Sequence, residues 1–232
     1  MSELRLSFPA SAIIARGRLT GHEIDLLKNE VFPEGVVDDD GATLLFAINN
    51  SCRQAGPDWA DYFLDTMSTF VLKRLAPQGR LDDTKTLWLE RMLAADGIVS
   101  TELELRLLLQ VMDLAPEVPD SLKVFVLSQL RHAIHGGSGA LAGRRHGQQR
   151  GISSADIDFL RTLLGLQEEE RQISVSPAVH RVLLSIDAVS NPALNYREWV
   201  PFLYSVRAAA TAPAHVAAQK RRPPAGRAFI AA

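Results

Sequence analysis

Hydrophobic residues recur along the chain at the three- and four-residue spacing that is typical of amphipathic helices. The clearest stripes are Ile24, Leu27 and Val31; Leu103, Leu107, Val111 and Leu114; and Val182, Ile186 and Val189. Each stripe would lie on one face of a helix and bury that face against the rest of the protein. Aromatic residues make up only 6% of the chain, whereas Leu and Ala are abundant, which favours helix over strand. The pattern predicts an all-α fold.

The chain also contains an internal repeat. Gly17-Arg18-Leu19 recurs as Gly79-Arg80-Leu81, 62 positions later. The same offset carries 35–37 onto 97–99 and 57–58 onto 119–120, and a third, looser copy opens at Gly151-Ile152. A constant offset between separate signals is the signature of tandem structural units. Each copy is predicted to contain a helix, a short loop, a second helix, a turn and a third helix.

The repeat predicts the organisation of the whole chain. A lead-in covers 1–11, the copies cover 12–75, 76–135 and 151–208, and a Gly/Arg-rich linker covers 136–150. The acidic run 167–171 lengthens one loop of the third copy, and the basic, proline-containing tail 209–232 is expected to be disordered. The pattern leaves open whether the copies form one domain or two.

Helix starts are marked by capping residues. A capping box pairs a Ser or Thr with an acid three residues later and satisfies amides of the first helical turn. The predicted caps are Thr20 with Glu23, Thr101 with Glu104, Ser153 with Asp156, and Ser176 before Pro177. Asp38, Asp39 and Asp40 place negative charge at another helix start, where the helix dipole favours it.

The segment from Gly17 to Glu23 is similar to the second half of an EF-hand loop. In that family a glycine, an apolar residue two positions later and a glutamate four further on begin the exiting helix. The resemblance implies short strand pairings between loops. The implied pairs are Leu19 with Val36, Leu81 with Ile98, and Ile152 with Ile173.

The oxygen ligands of that family are missing from this chain. The first, third and fifth loop positions fall on Ala12, Ile14 and Arg16 in one copy and on Arg74, Ala76 and Gln78 in the next. A calcium ion needs six to eight oxygen ligands, so calcium binding of the usual kind is not expected.

A second resemblance concerns the run 94–100, Ala-Ala-Asp-Gly-Ile-Val-Ser. It resembles the signature of TerB-type tellurite-resistance domains, which are small helical bundles. That resemblance implies a metal-responsive domain whose cation ligands would be Glu34, Asp38, Asp39, Asp40, Asp96 and Glu102. The competing interpretation of 38–40, helix-start charge, accounts for all three aspartates and is favoured.

Degenerate EF-hand-like units imply an apolar groove that holds a partner's amphipathic helix between helices of one copy. Candidate exposed anchors are Trp59, Tyr62, Phe63 and Phe70 in the first copy, and Trp199, Phe202 and Tyr204 in the third. The alternative is that these aromatics form the core, which is favoured for most of them because an aromatic stripe at helical spacing usually faces the interior.

Other reactive residue types do not form a recognisable catalytic pattern. His132, His135 and His146 surround a glycine-rich stretch and could hold zinc, but a helix end rich in His and Arg also suits the negative end of the helix dipole. Cys52 falls on a helix without a Cys/His frame and is expected to be buried or half-buried. We expect no enzyme activity and no cofactor.

Charge is distributed unevenly over a chain whose formal net charge is −2. The region from 206 to 232 carries five basic residues and no acid, and Arg144, Arg145 and Arg150 lie in the predicted linker. These segments could touch an acidic surface, but nucleic-acid binding is not expected because no aromatics are interleaved with the basic residues. A single cysteine, no signal-peptide pattern and no long apolar run favour a cytoplasmic protein without a membrane span.

Together these features predict a non-catalytic protein-interaction or scaffold module. The alternative is a TerB-like stress-resistance protein that responds to divalent cations. The oligomeric state is left open.

Overall fold

The structure, a computed structural model, describes residues 8–52, 56–145, 150–166 and 173–208. These residues form eleven α-helices, so the predicted all-α fold is confirmed. The helices are α1 (Phe8–Arg16), α2 (Gly21–Leu26), α3 (Asp39–Ser51), α4 (Pro57–Thr69), α5 (Asp83–Leu93), α6 (Glu102–Leu114), α7 (Asp120–Gly136), α8 (Ala140–Arg144), α9 (Ser154–Leu164), α10 (Pro177–Val189) and α11 (Trp199–Ser205). A π turn continues α2 over Leu27–Val31 and α4 over Phe70–Arg74, and a 3-10 turn covers Pro192–Leu194.

The predicted helix caps are present. Capping boxes begin α2 at Thr20, α6 at Thr101 and α9 at Ser153. The Ser176 hydroxyl accepts a hydrogen bond from the Val179 amide at the start of α10. These bonds satisfy amides that the helix itself leaves without a partner, which is why local sequence could place the four starts.

One apolar core extends through the helices. α10 packs along α7, α4 packs against α6, and α1 packs against α3. The largest fully buried side chains include Trp59, Trp199, Phe63 and Phe70. Burying a side chain such as Phe or Leu contributes roughly 1.5–3 kcal/mol, so these residues are major contributors to folding.

The predicted pairing of Ile152 with Ile173 is wrong. Strand β1 (Ile173–Val175) pairs in parallel with β2 (Val206–Ala208), and Ile173 lies opposite Val206. The backbone of Ile152 is already used, because its amide donates to Asn195 Oδ1 at 2.8 Å and its carbonyl accepts from the Tyr196 amide at 2.7 Å. Within the described residues this is the only sheet, so the loop pairs at Leu19 and Leu81 form no strands either.

The segment predicted as a flexible Gly/Arg-rich linker is partly helical. α7 continues to Gly136 and α8 follows over Ala140–Arg144. Arg144 binds the Glu102 carboxylate, with Nε 2.9 Å from Oε2. Arg145 is buried, donates to the Gly151 carbonyl and forms an ion pair with Asp156. Both arginines therefore hold helices together, and the predicted contact with an external acidic surface is not available to Arg145.

Candidate partner-binding groove

An apolar groove lies between α6, the start of α7 and the second half of α9. Its volume is about 820 Å³. The apolar side chains that line it are Leu109, Met112, Leu114, Val118, Phe159, Leu163 and Leu164. The groove thus joins the predicted second and third copies, whereas the sequence placed a groove between helices of one copy.

Helix α6 contributes to the groove because it is more apolar than its core-facing stripe requires. Leu105, Leu108 and Met112 are buried, while Leu109 is only partly buried and Leu114 remains 54% exposed. A helix that is apolar over more than one face must leave some of that surface outside the core. This excess forms the α6 wall of the groove.

The other wall is the last turn of α9, whose end is fixed by a Schellman motif. The Leu166 amide donates to the Arg161 carbonyl at 2.9 Å, and the Gly165 amide donates to Thr162 at 3.1 Å. Gly165 has φ +67°, the left-handed conformation that this ending requires. The motif ends the helix just beyond Leu164, and the partly buried Phe159 lines the groove earlier on the same helix.

The charged residues on and beside the groove include more acids than bases. Asp113 lines it, and Glu117 stands next to Val118 in the following loop; both are exposed. Asp158 is exposed one turn before Thr162, which lines the groove, so the two residues share a helix face. Two bases are also present, since Lys123 lines the groove and the partly buried Arg161 precedes Thr162 on α9. An apolar ligand with flanking positive charge would therefore complement the excess of acids at this rim.

The predicted aromatic anchors lie elsewhere, mostly in the core. Trp59, Phe63 and Trp199 are 0% exposed and Phe202 is 4% exposed, so none of them is accessible to a partner in this structure. Phe70 is also buried. The favoured alternative, that most of these aromatics form the core, describes these five residues. Their burial follows from helical spacing, since each packs on the stripe that its helix turns inward.

The two tyrosines differ from the other anchors. Tyr204 is 80% exposed on α11, one turn after the exposed Val200. Tyr62 is partly buried, Lys28 Nζ lies 5.2 Å from its ring centroid, and burial raises the pKa of its hydroxyl. Neither tyrosine lines the apolar groove. Tyr204 is thus the one proposed anchor that is fully exposed among the described residues.

The aspartates at 38–40 act at the start of α3. Asp38 Oδ1 accepts a hydrogen bond from the Gly41 amide at 2.8 Å, as an N-cap does. Asp39 Oδ1 accepts from the Trp88 indole at 3.1 Å, and Asp40 lies in the first turn. These positions agree with the favoured interpretation, in which the three aspartates place negative charge at the start of a helix.

Two of the other proposed metal ligands, Asp96 and Glu102, also have side-chain partners within the protein. Asp96 Oδ1 accepts from the Ile98 amide at 3.1 Å, and Glu102 binds Arg144. At Glu34 it is the backbone carbonyl that takes part, accepting from Arg74 at 2.5 Å. Over the described ranges, no three His, Cys, Asp or Glu side chains converge to form a metal site. These carboxylates therefore do not form one cation site.

The loop that resembles the TerB signature is held by an amide side chain. Gln129 Oε1 accepts from the Val99 amide at 2.9 Å, and Gln129 Nε2 donates to the Gly97 carbonyl at 3.1 Å. The Ala140 amide donates to the Val99 carbonyl at 2.8 Å. Gln129 is 3% exposed. Its contact with the loop joins distant segments of the chain, so no local sequence pattern predicts it. The loop backbone is bound by protein groups.

The histidines and the cysteine gain no reactive surroundings. His132 is partly buried and His135 is exposed at the end of α7, while His146 lies outside the described residues. Cys52 is 3% exposed, as expected, and burial raises the pKa of its thiol. A reactive cysteine needs a lowered pKa, so this environment opposes nucleophilic chemistry.

A buried lysine is the feature that sequence reasoning missed most completely. Lys85 on α5 is 0% exposed, and its Nζ donates to the Val71 carbonyl in the π turn after α4 at 2.5 Å. Burial lowers the pKa of this ammonium, and the charge of Asp82 partly opposes that effect. Lys85 connects α5 to the π turn.

Comparisons with known proteins do not assign a function. No family model, no curated protein and no solved structure matches the chain. None of the helices in the described ranges is long and apolar enough to cross a membrane. The molecule's own surfaces are therefore the guide to its function.

Proposed function

We propose that this protein is a non-catalytic protein-interaction module that binds an amphipathic helix of a partner in the groove between α6 and α9. The observation that carries the proposal is the groove itself, which leaves leucine and phenylalanine side chains uncovered beside a rim with more acids than bases. Soluble proteins rarely leave such surface open without a use. The groove has the size and apolar lining of a binding site, and a helix that presents apolar residues every three to four positions suits it.

The module is proposed to consist of three degenerate EF-hand-like copies that have lost their calcium ligands. Helix positions support this repeat. Helix α2 begins at Gly21 and helix α5 at Asp83, so their starts differ by the repeat offset of 62. The starts of α3 and α6 match the same offset within one residue. The four landmark glycines, Gly17, Gly35, Gly79 and Gly97, all adopt positive φ values between 63° and 83°. Such a conformation favours glycine, which accounts for the shared motif.

The first and third copies each contain an equivalent tryptophan hydrogen bond. Trp59 near the start of α4 donates from its indole nitrogen to Asn49 Oδ1 at 3.0 Å. Trp199 at the start of α11 donates in the same way to Asp187 Oδ1 at 2.7 Å. In both copies a buried tryptophan of the third helix bonds to the last turn of the second helix. This shared contact supports the proposal that the third copy is a divergent repeat.

The third copy differs at its opening glycine. Gly151 does not adopt a positive φ; instead, a Cβ at this position would collide with the Leu194 carbonyl. The glycine is therefore required by a close backbone approach. The proposed loss of calcium binding agrees with the first copy, where the residues at the ligand positions, Ala12, Ile14 and Arg16, lie within helix α1.

Capture of partners by the full chain tests the proposal. Wild type, two groove variants (Leu114→Asp and Phe159→Asp) and the control Leu184→Asp are immobilised and exposed to host extract. Both leucines are about half exposed on helices, at 54% and 45%, but only Leu114 lines the groove. A specific partner should bind wild type and Leu184→Asp and be lost from Leu114→Asp and Phe159→Asp, after thermal melts confirm that each variant is folded. If every partner stays bound to both groove variants, the proposed function is wrong.

A further inference from the structure

The tail 209–232 has the chemistry that complements the groove. It contains no acid, carries Lys220, Arg221, Arg222 and Arg227, and its one aromatic residue is Phe229, followed by Ile230. Apart from prolines, Val216 is the only other residue in the tail that is apolar and larger than alanine. An apolar pair two residues after a positive charge fits an apolar groove at which three acids, Asp113, Glu117 and Asp158, outnumber the two bases Lys123 and Arg161.

The tail is long enough to reach the groove from where it leaves the described fold. Strand β2 ends at Ala208, and Phe229 follows 21 residues later. A segment of that length spans up to roughly 70 Å when extended. A compact chain of this size has a radius of gyration of about 17 Å. Phe229 can therefore reach the groove wherever on the surface Ala208 lies.

Tethering also makes a weak contact sufficient. A ligand joined to its site by a flexible linker acts at an effective concentration in the millimolar range. Docking with a dissociation constant of that order would already cover the groove for about half of the time. The same weak contact would yield to a partner that binds more tightly.

We propose that Phe229 and Ile230 occupy the groove between α6 and α9 of their own chain and compete there with the partner. This inference rests on the proposed function, because it adds a built-in competitor to the same site. The basic residues of the tail orient it on the rim acids, and the apolar pair covers the exposed leucine and phenylalanine surface.

Disulfide trapping in the full chain tests this inference. One protein carries Leu114→Cys with Ala231→Cys, and the control carries Leu87→Cys with Ala231→Cys. Leu114 and Leu87 are exposed to similar degrees, at 54% and 46%, but Leu87 does not line the groove. The native Cys52 is buried and is common to both proteins. The groove pair should form an intrachain disulfide about tenfold faster than the control under mild oxidation.

A third protein adds Phe229→Asp to the groove pair and should lower the rate to that of the control. Equal rates for the groove and control pairs, or a groove rate that Phe229→Asp leaves unchanged, would overturn the inference. Disulfides that join two chains and increase with protein concentration would assign the groove to the tail of a second copy and also overturn it.

Failure of this inference is distinguishable from failure of the proposed function. If the disulfide rates are equal and Leu114→Asp still abolishes partner capture, only the tail inference fails. If trapping is selective but partners remain bound to Leu114→Asp and Phe159→Asp, the groove serves the tail and the proposed partner function fails.

Discussion

Arg145 and Asp156 form a buried ion pair in which guanidinium Nη2 lies 3.1 Å from carboxylate Oδ2. Their side chains are 6% and 7% exposed, so the pair joins the end of α8 to the start of α9 with little access to water. Asp156 also completes the capping box with Ser153. One carboxylate therefore fixes a helix start and holds the preceding helix to it.

Removing Arg145 should destabilise the fold strongly. Arg145→Met leaves the Asp156 carboxylate buried without its cation, and breaking such a pair from one side costs about 3 kcal/mol or more. The neighbouring Arg144→Met is the control, because the side chains of the Arg144–Glu102 pair are 39% and 53% exposed and solvent-accessible pairs typically contribute about 1 kcal/mol or less. Urea unfolding measures both. Equal losses of unfolding free energy in the two variants would contradict the assigned role of Arg145.

Replacing Lys85 should change the pH dependence of the protein's stability. Burial lowers the pKa of Lys85 in the folded state, so the unfolded chain holds the proton to higher pH. Stability of the wild type therefore rises as pH increases from the lowered pKa towards the usual lysine value of about 10.4. Lys85→Met removes this titration. The stability of Lys85→Met relative to wild type should be highest near neutral pH and fall as pH rises through this range.

The control for Lys85 is Lys73→Met, an exposed lysine in the same π turn. Its stability should follow that of the wild type across the pH range, because the Lys73 ammonium is exposed to water in the folded state and its removal relieves no buried charge. Lys85→Met also leaves the Val71 carbonyl without its donor, which costs about 1–3 kcal/mol and opposes any gain from removing the buried charge. A stability difference that stays constant with pH would rule out the buried ammonium as its cause.

Gln129 should be essential for the loop at 97–99. Gln129→Met leaves the Val99 amide and the Gly97 carbonyl without the bonds that Gln129 provides, which costs about 1–3 kcal/mol for a buried group. Gln110→Met makes the same chemical change where the amide bonds only to the Ser68 hydroxyl, at 3.2 Å, among the described contacts. Thermal unfolding should show a clearly larger loss for Gln129→Met, and hydrogen exchange at Val99 should accelerate. An unchanged exchange rate at Val99 would contradict the proposal that Gln129 holds this loop.

Divalent cations should leave the melting temperature unchanged. Asp38, Asp39, Asp96 and Glu102 are each engaged by protein groups, and no described set of three ligands converges. A ligand that binds the folded state must raise its apparent stability. Thermal melts of the full chain with millimolar calcium, magnesium, manganese or zinc measure this. A saturable rise that Asp96→Asn or Asp38→Asn abolishes would restore the TerB-like, metal-responsive alternative.

Local signals in the sequence predicted local structure well. The caps at Thr20, Thr101, Ser153 and Ser176 depend on residues within three positions, so the sequence alone determines them. The inward-facing stripes were also predictable, because helical spacing decides which side chains share a face.

Contacts between distant segments were not predictable in the same way. The EF-hand resemblance implied that Ile152 pairs with Ile173, but Asn195 and Tyr196 bind the Ile152 backbone from 43 and 44 positions away. The groove arises where surplus apolar residues of α6 meet the end of α9, and neither helix alone indicates that meeting. The sequence suggested an external acidic surface for the linker arginines because the acidic partners of Arg144 and Arg145, Glu102 and Asp156, are specified only by the fold.

The groove between α6 and α9 is the central claim, and hydrogen exchange locates binding on it most directly. The full chain carrying Phe229→Asp, in which the tail should not compete, is compared with and without the captured partner. Amides of 109–118 and 159–166 should gain protection on binding. Protection on the exposed face of α10 and α11 around Leu184 and Tyr204, with the groove unchanged, would contradict the account.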